Sequence, residues 1–128
     1  MVEMASTRKP PAGTGPYRAV KGHHVHAKAG FRGDVLYDLN EGFSISDEFM
    51  KARGWSHEDM TVMQQRLFRE LGQSGRPNTI QEHTRIAVEA LRAGGATKAQ
   101  AERLVDWSLR NLKAQGATQP TRIPWVSP

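Results

Sequence analysis

Three of the five histidines fall within four residues, in Gly22-His23-His24-Val25-His26. Neutral imidazole nitrogen is a good ligand for Zn, Ni or Co and a fair one for Mg-type sites. A histidine titrating near neutrality also moves protons at cellular pH. If the stretch is extended, alternation puts His24 and His26 on one face and turns His23 away with Val25. A turn or bulge at Gly22 would instead converge adjacent rings on one ion. The run is broken by Val25 and lies well inside the chain, which sets it apart from a terminal tag.

A histidine cluster needs partners from elsewhere in the fold. His83 follows Ile80 by three residues and precedes Ala87 by four, so it projects from the apolar face of a helix near its N-terminus. A histidine on such a face is more often a packed, hydrogen-bonded core residue than a ligand. Asn78 is the other polar candidate, and a helix cap is its competing role. His57, next to Ser56, reads as an exposed residue in a first helical turn. The chain has no cysteine. Thiolate chemistry and disulfides are excluded, and any metal must be held by His, Asp, Glu or Asn.

The elements that must position these residues divide into two halves. Residues 1–16 are rich in Pro and Gly and predict a flexible linker or arm. Residues 17–45 predict short strands at 17–20, 35–37 and 43–45, punctuated by glycines. The remainder predicts helices. Ser46 caps a helix over 47–53 that Gly54 closes. Ser56, with Asp59, caps the next, whose Met60, Met63, Leu67 and Leu71 line one face until Gly72 and Gly75 end it. Thr79 and Glu82 form a capping box for a third helix, with Ile80, Ala87, Val88 and Leu91 inward and Gly94-Gly95 as its stop. Thr97 and Gln100 cap a fourth, with Ala101, Leu104, Val105, Leu109 and Leu112 inward and Gly116 as C-cap. Prolines keep residues 120–128 extended, with Trp125 packed on the domain.

The 128 residues suffice for one small domain with one core, 38% of them being hydrophobic. No run reaches the length of a membrane span, and no secretory leader is expected at the start. The formal charge is +5. Residues 1–32 carry six basic residues and one acid, so the whole excess lies there. Such a patch attracts a phosphate backbone or an acidic protein. Aromatic residues make up 7% and show no interleaving with basic ones along the chain. That pattern argues for weakly specific, backbone-driven binding.

The run Gly22-His23-His24-Val25-His26 resembles the signature of the HNH/endonuclease VII superfamily, in particular the GHH- and LHH-type nuclease domains at the C-termini of bacterial polymorphic toxins. The stretch from Gly75-Arg-Pro-Asn78 through His83-Thr-Arg85 to Leu91 is similar to the second motif of such domains. The resemblance covers roughly residues 17–93. It implies an α+β fold, mostly helical, in which a short β-hairpin and a helix form a ββα-metal nuclease core over residues 17–128. It implies that His23 binds a divalent ion (Mg, Mn, Zn or Ni) and that His24 is the general base. It further implies that His83 and Asn78 supply ligands and that His26 ligates or supports the site. The chain departs from the pattern in lacking a second helix histidine four residues from His83, since position 79 is Thr and 87 is Ala.

The implied activity is a metal-dependent endonuclease, a DNase toxin module. Lys21, Lys28, Arg32, Arg76 and Arg85 would meet the phosphate backbone. The implied setting is a larger effector, delivered from a bacterium into the cytoplasm of a target cell and silenced in its producer by an acidic immunity protein. Two alternatives stay open. One is a metal-independent RNase, with His24 and His83 as an acid–base pair and Arg85 stabilising the phosphorane. The other is a binding module whose histidines hold a structural metal or nothing.

Overall fold

The computed structural model describes residues 9–126. It is a small α+β domain of three short antiparallel strands and several helices. The strands are β1 (Thr14–Pro16), β2 (His23–His24) and β3 (Phe43–Ile45), in the order β1-β3-β2. The register sets Gly15 against Ser44 on one side of β3 and His24 against Ser44 on the other. Three residues of the expected arm thus belong to the sheet, and residues 1–8 of it lie outside the described residues. Between β2 and β3 runs a connection with single 3-10 turns at Lys28–Phe31 and Leu39–Glu41.

Two expected strands are replaced by other structure. Residues Tyr17–Val20 form one helical turn, α1. Pro16 sets its entry at φ −65°, and Lys21 and Gly22, at φ 56° and 79°, end it at once. Residues 35–37 lie in a turn region, with Val35 almost wholly exposed. In both cases four or fewer residues are too few for alternation to distinguish a strand from a turn.

The helices follow the capping chemistry closely. Ser46 accepts from the Phe49 amide and starts α2 (Asp47–Arg53), which Gly54 ends in the left-handed region. Ser56 accepts from Asp59 to start α3 (His57–Ser74). This helix runs through Gly72 and ends at Gly75. Gly72 is instead a place of close approach, since a Cβ there would lie 2.8 Å from Val126. Thr79 accepts from Glu82 to start α4 (Ile80–Ala93). The Glu82 carboxylate does not close the expected box, because Arg76 and Arg85 hold it at 2.7 and 2.9 Å. Thr97 and Gln100 form the full capping box of α5 (Lys98–Gln115), and Gly116 ends it at φ 81°.

Helix α3 packs on α4 and α4 on α5, while β3 rests against α5. The main core joins Val25, Phe43 and Ile45 to Phe49, Met60, Leu91 and Leu104. A second cluster gathers Ala27, Leu67, Phe68, Leu71 and Ile86, and a third Phe31, Leu112 and Ala117. On α5 it is Ser108 that is fully buried, while Leu109 is only half-buried. Among the described residues no helix is long and apolar enough to cross a membrane.

Candidate active site

Gly22 fixes the histidine run against β3. A Cβ at this position would lie 2.1 Å from the Ile45 carbonyl oxygen, and its φ is 79°, so glycine alone fits. After two paired residues the chain bends at Val25 and His26. The strand is too short for alternation to act, so the condition under which His24 and His26 would share a face is not met. His23 and His24 instead line the same cleft, a cavity of about 220 Å³.

His24 is the most constrained of the cleft residues. Its Nε2–H donates to the Leu39 carbonyl at 2.8 Å, which leaves Nδ1 with the lone pair. The ring stacks on Tyr17, with centroids 4.4 Å apart and planes 22° from parallel. Burial holds His24 below the ordinary histidine value, with the Leu39 hydrogen bond opposing and the nearby Lys28 charge assisting. The group is therefore a neutral imidazole, fixed in tautomer and orientation.

His23 is 3% exposed, and its Nε2 is buried with no hydrogen-bond partner. Burial, aided by the His57 and His24 charges, pushes its pKa down to about 3. Its ring meets His57 edge to face at a centroid distance of 5.0 Å. His57 is exposed, as the sequence suggests, yet it lines the cleft together with Thr61 and Gln64. These three stand at i, i+4 and i+7 on the first two turns of α3, a stripe beside the apolar one. Sequence reasoning missed them as a group, although that spacing was the available signal. Gln64 is 5% exposed, an unusual burial for an amide in an amphipathic helix.

His83 and Asn78 lie apart from this cleft. The His83 Nε2–H donates to Asn78 Oδ1 at 2.6 Å, and the ring packs edge-on against Phe68 and Phe31. A Cβ on Gly30 would come within 2.8 Å of His83 Nδ1, and that nitrogen has no partner. Burial lowers its pKa to about 4. His83 is thus a packed core residue, and neither it nor Asn78 lines the cleft that holds His23. His26 is also committed elsewhere. Its Nδ1 is hydrogen-bonded to Ser108 Oγ at 2.6 Å and its Nε2 to Thr84 Oγ1 at 3.1 Å, which ties the histidine run to α4 and α5. Among the described residues, no group of three or more His, Cys, Asp and Glu side chains converges as a metal site.

The basic residues separate in the same way. Lys28 lines the His24 cleft and an adjoining cavity of about 290 Å³ that Arg32 also lines. The Lys21 and Lys28 ammonium groups both sit over the Tyr17 ring, at 5.4 and 5.9 Å. Arg76 and Arg85 are held by Glu82 instead, and Arg85 does not line the cleft. In comparisons with known protein families, curated proteins and solved structures, nothing matches this chain.

Proposed function

We propose that the domain is a metal-dependent endonuclease with His24 as general base. The observation that carries this reading is the anchored ring of His24: one nitrogen donates to Leu39, the other is an acceptor, and burial keeps the group neutral. A general base needs that arrangement, since a protonated or freely rotating imidazole cannot take a proton from a placed water. In the step proposed, the water oxygen attacks phosphorus and the P–O bond to the leaving sugar oxygen breaks. The water proton passes to His24 Nδ1, and the leaving sugar oxygen takes up a proton from solvent water. The Leu39 carbonyl then steadies the imidazolium through the Nε2–H bond, and Tyr17 keeps the ring in plane. Lys28 offers a cation to the phosphate backbone.

In this reading His23 and His57 are the two side chains of the cleft that would hold a divalent ion. His23 has an orphaned buried nitrogen and stays neutral over the cellular pH range, and His57 faces it. Two imidazoles would leave positions for water and phosphate oxygen. Such an ion, when bound, supplies charge stabilisation at the phosphoryl oxygen and leaving group. His57 thereby takes the place in the ligand set that the resemblance assigns to His83 and Asn78.

The biological setting proposed is that of a toxin module within a larger delivered effector, acting in the cytoplasm of a target cell. An acidic immunity protein would cover the cleft in the producing cell. The sequence resemblance and the net charge of +5 support this. The test is incubation of the protein with plasmid DNA and with total RNA, with Mg, Mn, Zn or Ni or with EDTA. DNA loss that EDTA stops is the expected result. RNA loss that persists in EDTA would replace this reading with metal-free cleavage.

A further inference from the structure

The C-terminal strap carries a feature that the chemistry above does not use. Trp125 is 47% exposed and holds φ 60°. A bulky residue keeps this sparsely populated conformation only where its surroundings enforce it. The enforcement is visible on both sides. Thr121 donates through its amide to the Gly30 carbonyl at 2.8 Å and through its hydroxyl to the Arg32 carbonyl at 2.6 Å. On the other side, Val126 packs against Gly72 of α3. The indole leans toward Phe68 at a centroid distance of 6.1 Å, with planes 36° apart.

The placement of the ring matters as much as its exposure. Trp125 lines the His23–His24 cleft and also a neighbouring cavity of about 280 Å³ that Arg32 and Arg122 line. An aromatic surface therefore lies between the proposed catalytic histidines and two guanidinium groups. No ion pair holds Arg32 or Arg122 among the described residues. Along the chain the aromatic and basic residues are not interleaved, but in space they are here. Bases stack on exposed indoles with little regard to sequence, and cations beside the ring meet the attached phosphates.

We propose that Trp125, with Arg32 and Arg122, is a stacking seat for an unpaired nucleobase at the edge of the cleft. The inference rests on the nucleic-acid reading of that cleft and adds to it a preference for strands with an unstacked base. Its test is binding in EDTA, where no cleavage occurs. A single-stranded oligothymidylate is compared with an abasic strand of equal length, by anisotropy and by tryptophan quenching. The expected result is about tenfold tighter binding of the base-bearing strand. Trp125→Ala should erase the difference and the quenching, and Trp125→Phe should retain most of the difference.

Equal binding of the two strands by the unaltered protein overturns the seat, whatever the variants do. So does quenching that persists in Trp125→Ala. Plasmid cleavage together with equal binding removes the seat and leaves the nuclease. Base-dependent binding without cleavage under any metal keeps the seat and removes the nuclease step.

Discussion

At the scale of single residues, the five histidines share one chemistry and occupy at least three kinds of environment. What separates them is the partner of each nitrogen. His24 has one anchored and one accepting nitrogen. His23 has a buried nitrogen with no partner, and its ring meets His57 edge to face. His26 has both nitrogens bonded, to Ser108 and Thr84, whereas His83 has one bonded to Asn78 and one packed against Gly30 without a partner. The ligand assignment therefore makes a clear prediction. By titration calorimetry, His57→Ala should weaken binding of the divalent ion by at least about tenfold. Asn78→Ala should leave ion binding intact and lower stability by about 1–2 kcal/mol, because it strands the His83 Nε2–H. The reverse pattern would restore the Asn78 and His83 ligand set. His26→Ala should destabilise by about 2–3 kcal/mol in urea titration, from one buried and one half-buried hydrogen bond lost and the space left behind. Its cleavage per folded molecule should be unchanged. A His26 variant that is stable and inactive would place that ring in the chemistry.

At the scale of elements, the site depends on a two-residue strand held by one glycine. Gly22→Ala would drive a Cβ into the Ile45 carbonyl at a backbone angle that favours glycine. It should cost about 2–4 kcal/mol and abolish activity through loss of the His23–His24 placement. A stable, active Gly22→Ala protein, judged by urea titration and plasmid cleavage, would contradict that role. The helices were legible in the sequence because their caps are local: Ser46, Ser56, Thr79 and Thr97 each bond an amide three residues on. The strand region was less so. Its pairing brings Thr14 and His23 together across Ile45, and no local pattern reports such contacts. In the site, the histidine pair was legible as a motif. The placement of His57 against His23 was not, because exposure on a first helical turn looks the same whether or not a second ring lies opposite. Trp125 was foreseen as packed, and it is half on the domain and half in the cleft.

At the scale of the whole molecule, four buried histidines make the fold sensitive to acid, three of them with strongly lowered values. His23 and His26 sit at about 3 and His83 at about 4, against roughly 6.5 in the unfolded chain. Between those values the unfolded state binds more protons, so stability is complete above roughly 6.5 and falls as pH drops toward the folded values. The three groups together give a slope of up to about 4 kcal/mol per pH unit. Thermal melts of the metal-free protein should show Tm dropping steeply below about pH 6. A Tm that stays level from pH 7 to 4.5 would refute the burial of these rings as neutral groups. The cationic trough over Lys28 and Arg32 should make nucleic-acid binding weaken as salt rises, which anisotropy in increasing NaCl measures. The central claim is tested most directly by comparing the protein and its His24→Ala variant on plasmid DNA, with each divalent ion and with EDTA, after circular dichroism has established that both are folded. The account predicts metal-dependent cutting by the parent and a loss of at least about a hundredfold in the variant. A folded variant that cuts as fast as the parent would contradict it.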